Sequence, residues 1–284
     1  MSTDLCVTSK IHAWRTDGSS VPFAEAVALA KKAGFTQLDY GFTSAGLLKE
    51  DWEEAALKDY RTAREAGLAF RYAHLPYDYP KTADKWPDFY AASRRAIDLA
   101  VRFGVECAAI HPRTSMTKDY DHDLMRTNTL DFLRPYCECA KKAGLTLALE
   151  NMRGAGKSAD PSIKRYATQV EDLWDLAQTL DIGICWDTGH GNISAQAQYE
   201  SLKLVSPRLK MLHINDNYAE DDLHLAPFLG TVDWQAVSKA LHEIGYHGAI
   251  NLEVTCNKRP IKLRDSYAAY MAEAAALLRE MIKG

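Results

Sequence analysis

No stretch of this 284-residue chain stays apolar for 18 positions, so nothing in it has the reach of a membrane-spanning helix. The opening residues, Met1 to Leu5, lack the charged segment followed by an apolar one that marks a secretory leader, so the expected location is cytoplasmic. Basic excess is missing as well. Lys and Arg number 34 against 38 Asp and Glu, and a net charge of -4 leaves no electrostatic footprint for nucleic acid. Cysteine is sparse and unpatterned: six residues, with Cys137 and Cys139 as C-x-C and no C-x-x-C pair beside a histidine cluster. Small buried thiols are expected rather than a disulfide or a zinc-cysteine site. Also absent is a glycine-rich turn after the first apolar run, which continues instead into Lys10, Ile11, His12, Ala13 and Trp14. That argues against an open doubly wound sheet, and no nucleotide cofactor is expected.

What the chain does have is alternation. Short apolar runs at 5–9, 36–41, 69–75, 107–111, 146–150, 182–186, 209–214 and 249–254 read as strands. Between them, 22–34, 52–66, 85–103, 121–143, 168–180, 196–204, 234–245 and 264–283 carry apolar residues at helical spacing, such as Ala92, Ala96, Leu99, Ala100 and Phe103. Gly34, Gly67, Gly104, Gly144 and Gly245 stand where helices should stop, and Lys-Lys-Ala-Gly occurs at both 31–34 and 141–144. Eight strand–helix units in under 300 residues predict an α/β fold with a parallel sheet closed as a single (β/α)₈ TIM barrel, one domain over 1–284.

Nine imidazole and carboxylate residues fall at or just beyond the ends of these strands. They are His74, His111, Glu150, Asp187, His190, His213, Asp222, His224 and Glu253. In a barrel the C-terminal strand ends share one face, so these side chains should converge there. Glu150, Asp187, His213 and Glu253 come from strands five to eight and could close around one divalent ion. Oxygen and nitrogen donors suit Mn, Zn, Co, Fe or Mg.

The surrounding motifs sharpen this. Leu149-Glu150-Asn151, Asp187-Thr188-Gly189-His190, His213-Ile214-Asn215-Asp216, His224-Leu225-Ala226-Pro227 and Gly230-Thr231-Val232-Asp233-Trp234 occur in that order. The whole chain, most strongly 146–254, resembles the xylose-isomerase-like barrels, in particular the sugar phosphate isomerase/epimerase family. The resemblance implies a divalent ion held by Glu150, Asp187, His213 and Glu253, with Glu150 and Glu253 as the catalytic pair that trades a proton with substrate. It further implies a polyhydroxy carbonyl substrate, a sugar or sugar phosphate, isomerised or epimerised through an enediolate. His190, His74, His111, His224, Asp222 and Arg153 would be substrate-binding pocket residues. Where ketose epimerases of this group carry an arginine after the strand-seven histidine, this chain has Asn217.

The nine residues also match, in order, the ligand types of endonuclease IV-type AP endonucleases, which hold three zinc ions. A trinuclear phosphodiesterase is therefore the alternative. The text after His74 (Leu75, Pro76, Tyr77, Asp78) and the lack of interleaved basic and aromatic residues favour sugar chemistry instead. A lyase acting on an oxidised sugar and a barrel that binds a sugar without turnover complete the set. The expected partner is a small carbohydrate rather than nucleic acid or membrane, and a homo-oligomer stays open. Arg113, Arg153 and Lys157 follow strand ends and could meet a phosphate or carboxylate. Trp14, Tyr40, Tyr77, Trp186 and Phe228 could wall the pocket or simply pack.

Overall fold

A computed structural model describes residues 5–257 and 259–284. Its strands are β1 (Leu5–Thr8), β2 (Gln37–Gly41), β3 (Ala69–His74), β4 (Cys107–Ile110), β5 (Leu147–Glu150), β6 (Gly183–Asp187), β7 (Leu209–His213) and β8 (Ile250–Leu252). The helices are α1 (Phe23–Ala33), α2 (Ser44–Leu47), α3 (Trp52–Glu65), α4 (Trp86–Arg102), α5 (His122–Ala143), α6 (Val170–Leu180), α7 (Thr188–Ile193), α8 (Gln198–Val205), α9 (Trp234–Glu243) and α10 (Ile261–Lys283). The strands run in the order β7-β6-β5-β4-β3-β2-β1-β8, every ladder parallel. Between β7 and β8 there is only an isolated parallel bridge, Ile214 to Leu252. This is the expected (β/α)₈ barrel, and no helix among the described residues is long and apolar enough to cross a membrane.

Two apolar layers follow from the period-two alternation of strand side chains. Outward residues such as Val7, Leu38, Phe70, Leu149, Trp186 and Leu252 pack against the helices. Inward residues Cys6, Tyr72, Cys107, Ala109, Ala148, Cys185 and Met211 form a separate cluster that plugs the barrel. The next inward position above Tyr72, Ala109, Ala148, Cys185 and Met211 is His74, His111, Glu150, Asp187 and His213 respectively. The candidate ligands thus form one layer lying directly on an apolar floor. All six cysteines are free thiols, and burial pushes Cys6, Cys107 and Cys185 up in pKa, so they stay protonated filling.

Helix ends follow their local chemistry. Asp121 accepts from Leu124 N at the start of α5, and Asp233 from Ala236 N at the start of α9. Two short helices lie outside the predicted elements, α2 and α7. Each hangs on a cap, with Thr43 Oγ1 accepting from Gly46 N and Asp187 Oδ1 from His190 N. His190, expected in the loop after β6, therefore sits in the first turn of a helix.

Candidate metal centre

Ligand atoms of Glu150, Asp187, His213 and Glu253 lie within 4.8 Å of one another, as do those of His74, Glu150 and His213. Glu150, at the tip of β5 and 1% exposed, is the hub. Its Oε2 stands 3.1 Å from His111 Nε2, 3.3 Å from His74 Nε2 and 3.1 Å from His213 Nδ1, and its Oε1 is 3.4 Å from His190 Nδ1. His213 Nδ1 is also 3.3 Å from Glu253 Oε2. On the far side, Asp222 stands between two imidazoles, with Oδ2 3.3 Å from His190 Nε2 and Oδ1 3.3 Å from His224 Nε2. All nine residues read from the strand ends thus belong to one contiguous network.

Four of the imidazoles are held in the same way. One ring nitrogen is fixed on an acceptor that compels it to donate, and the other faces the centre. His74 Nδ1 bonds Leu75 O at 2.8 Å, His190 Nδ1 bonds Asn151 O at 2.8 Å and His224 Nδ1 bonds Glu253 O at 2.6 Å. His213 Nε2 meets Asp39 Oδ2 at 3.2 Å. A carbonyl or carboxylate behind the ring fixes tautomer and orientation and leaves a lone pair available to a cation. The carboxylates are anchored too. Asp187 Oδ2 accepts from Asn215 Nδ2 at 2.7 Å, while Asn151 bridges the Asp187 backbone through Asp187 N to Asn151 Oδ1 at 2.6 Å.

Glu150 Oε1, His213 Nδ1 and Asp222 Oδ1 are buried without a well-formed hydrogen bond among the described residues. Buried polar atoms left this way are costly unless something else meets them. Two of them, an anionic oxygen and a nitrogen lone pair, belong to the Glu150–Asp187–His213–Glu253 group and fit a divalent cation. Titration behaviour agrees. Burial opposes charge on Glu150, yet the His213 and His111 imidazoles hold it well below the usual carboxylate range. Burial, reinforced by the neighbouring carboxylates, lifts Asp187 to about 7 despite His190. His190 is raised to about 10 against its burial, chiefly by Asp187 and Asp222.

The loop after β7 explains why its motif reads as it does. Asp216 is fully buried and accepts from Gly230 N, Val232 N and Trp234 Nε1. Any Cβ on Gly230 would fall 2.3 Å from Asn217 O. Asp216 therefore pins the Gly230–Trp234 segment, and its role is structural. Leu225 pairs with Asp216 through both backbone bonds, which presents His224 in left-handed backbone at φ 46°. Non-glycine residues hold that conformation only where surroundings enforce it. Asn217, standing where an arginine was noted in related epimerases, is fully buried and donates to Gly189 O.

Several residues bearing on the site escaped the sequence reading. Asp39 follows a register shift between Leu38 and Asp39 that turns its side chain into the barrel. Burial opposes its charge, but the His213 hydrogen bond keeps its pKa low. Lys10 Nζ lies 5.4 Å from the Tyr77 ring centre, and burial lowers its pKa. Arg165 reaches Thr114 and Arg153 O. Of the aromatic candidates, Tyr77 lies 4.8 Å from His74 and 4.9 Å from His111, centroid to centroid. Trp186 and Tyr40 belong to the core instead, Trp186 donating to Gln198 Oε1 and Tyr40 stacking on Phe70. Arg153 Nε stands 3.9 Å from Asp222 Oδ2, and Arg113 covers the Trp86 ring at 4.3 Å.

Comparison with known proteins gives a consistent result. A family model described as xylose isomerase-like TIM barrel matches residues 27–281. Among curated proteins, y4fM of Sinorhizobium fredii, named as uncharacterized, is 27% identical over 195 residues, 66% of this chain and 60% of that protein. Inosose dehydratase of Serratia proteamaculans is 26% identical over 156 residues, 48% of this chain and 50% of that protein. The match thus spans three fifths or less of either relative's length. Among solved structures, a D-tagatose 3-epimerase-like protein superposes with a TM-score of 0.73 at 20% identity, covering 99% of this chain and 98% of that one. The IolI protein with a binding zinc atom does so with a TM-score of 0.73 at 16% identity, covering 99% and 98%. At these identities the structural likeness speaks to the fold.

Proposed function

The chain belongs to the xylose isomerase-like TIM barrel family, and we propose that it is a divalent-metal-dependent isomerase or epimerase of a small polyhydroxy carbonyl compound. The observation that carries this reading is the convergence of Glu150, Asp187, His213 and Glu253 within 4.8 Å at one end of the barrel. Of the three carboxylates, Glu150 and Glu253 are the two that would exchange a proton with carbon. Asp187 and His213 would complete the ligand set, and a bound ion would supply Lewis-acid stabilisation worth several kcal/mol to a substrate carbonyl. Glu150, kept ionised by the imidazoles around it, is suited to act as base. Glu253, on the neighbouring side of His213, would return the proton for epimerisation. If one carboxylate serves both steps, the outcome is aldose–ketose isomerisation. Solved epimerases of this fold and the inosose dehydratase relative support a carbohydrate substrate class. The latter also supports the variant in which proton removal expels a leaving group.

The test is exchange of a substrate C–H for solvent deuterium by metal-loaded protein across a panel of ketoses and inososes. Glu150→Gln and Glu253→Gln should each abolish it, by roughly a thousandfold or more. Exchange that survives both substitutions would end this reading.

One observation favours a second reading. The network divides into three potential cradles: His74, His111 and Glu150; Glu150, Asp187, His213 and Glu253; and His190, Asp222 and His224. A trinuclear centre activating water for phosphodiester cleavage would use all three. Elemental analysis separates the two readings. One ion per chain supports the sugar enzyme, whereas three ions together with nicking of abasic duplex DNA would replace it.

A further inference from the structure

The centre gathers four carboxylates, Glu150, Asp187, Asp222 and Glu253, yet neither Arg153 nor Arg165 beside it makes a hydrogen bond to them. Arg153, just beyond β5, keeps its Nε 3.9 Å from Asp222 Oδ2, outside hydrogen-bond range. Arg165, later in the same β5–α6 connection, is half-buried. Its Nε donates to Thr114 Oγ1 at 3.0 Å and its Nη1 to the backbone oxygen of Arg153 at 3.4 Å. Both acceptors are neutral, and Arg165 takes part in no ion pair among the described residues. A guanidinium has five N–H donors in a rigid fork, so most of Arg165's capacity stays open.

That arrangement is unfavourable by itself. Burial and the adjacent Arg153 charge depress the Arg165 pKa to about 10, with the fields of Glu150 and Asp222 among the opposing influences. A half-desolvated cation beside a like charge, with only neutral acceptors, is stabilised when an anion arrives. If its task were only to tie Thr114 to the β5–α6 connection, a neutral amide could do it without the charge.

We infer that Arg153 and Arg165 form a subsite for an oxyanion, the carboxylate or phosphate substituent of the molecule handled at the neighbouring centre. The subsite rests on the metal-enzyme reading for what the rest of that molecule is. Arg165 supplies the fork, oriented by Thr114. Arg153, 36% exposed, closes over the entering group from the rim. The substrate is then an acidic or phosphorylated polyol rather than a neutral sugar.

Calorimetric titration of the metal-loaded protein with inorganic phosphate and, separately, with acetate tests this. At least one anion should bind once per chain, and Arg165→Gln should weaken it roughly tenfold or more, the worth of a charge-assisted hydrogen bond. Arg165→Lys, which keeps the charge but not the fork, should recover only part of the loss. Tighter binding of phosphate than acetate assigns a phosphate substituent, and the reverse a carboxylate. Should Arg165→Gln not fold, Arg153→Gln at the rim carries the same expectation. Binding of neither anion, or binding indifferent to these substitutions and so held by the metal alone, overturns the subsite. Turnover is not read in this experiment. Failure of deuterium exchange would therefore leave the subsite standing, and failure of anion binding would leave metal-assisted chemistry on a neutral sugar.

Discussion

Protons and a bound cation would compete for the same nitrogens in this centre. Against the burial that disfavours charge, His213 is raised by the charges of Glu150 and Glu253 and by its hydrogen bond to Asp39, and His224 by Asp222 and Glu253. Asp187, lifted to about 7, holds a proton below that pH. With no cation bound, these protons neutralise the acidic cluster. The sign follows directly: a raised imidazole pKa stabilises the folded metal-free chain below the ordinary value near 6.5, and that contribution is lost as pH climbs through the raised value. A metal needs the unprotonated nitrogen and carboxylate, so its affinity should move the opposite way. Between pH 6 and 8 the apparent affinity should rise by roughly tenfold per pH unit for each proton displaced. Calorimetry in two buffers of different ionisation heat should show at least one proton released per ion at pH 7. A flat affinity over that interval would contradict the assignment. Glu150, Asp187 and His213 were legible because each closes an apolar run and occupies the inward position two residues above a floor residue, Ala148, Cys185 and Met211 respectively. Asp39 was not, because its partners His213 and Asn251 lie 174 and 212 residues away and its inward aim comes from a bulge. Arg165 sits in a loop without periodicity, so only tertiary structure shows what it faces.

Strands and long helices carry their own punctuation, which is why their limits could be read to within a few residues. The Lys-Lys-Ala-Gly repeat marks the C-terminal ends of α1 and α5, and Gly34 and Gly144 there adopt φ 104° and 77°. In each the glycine N–H closes back on the last helical turn, onto Ala30 and Lys31 in one case and Ala140 and Lys141 in the other. Nothing lies within 4 Å of a Cβ placed on Gly144, so Gly144→Ala isolates the backbone term. It should cost about 1 kcal/mol and lower the unfolding midpoint by about 2–4 °C, without changing metal content. A neutral substitution would mean that α5 ends some other way. The short helices α2 and α7 gave no comparable signal, since four and six residues are too few to display an amphipathic period. Thr43 and Asp187 nucleate them by capping. Asp187 thereby does two things at once, offering a carboxylate to the centre and starting the turn that aims His190 at Asp222.

The barrel as a whole has a seam, and the seam runs through the candidate site. Seven neighbouring strand pairs are joined by ladders, but β7 and β8 meet through the Ile214–Leu252 bridge, with Ile214 N donating to Asn251 O and Glu253 N to Ile214 O. Directly beside that bridge, His213 extends from β7 and Glu253 from beyond β8, their side chains 3.3 Å apart. A cation gripped by both would fasten the cylinder where its backbone pairing is thinnest, while Glu150 and Asp187 tie the same ion to β5 and β6. Metal should therefore act on the whole molecule unevenly. At a hundredfold excess over its dissociation constant a ligand confined to the folded state adds about 2.7 kcal/mol. In a chain of this size that corresponds to a rise of about 5–10 °C in the unfolding midpoint. Hydrogen exchange locates the effect: the amides of Ile214 and Glu253 should slow more on metal addition than those of Ile110 and Leu149, partners in the full β4–β5 ladder. Equal slowing at all four would mean that the ion stabilises the fold without closing the seam. No slowing at Ile214 and Glu253 would mean that it binds elsewhere, and the convergence of β7 and β8 on one cation would have to be abandoned.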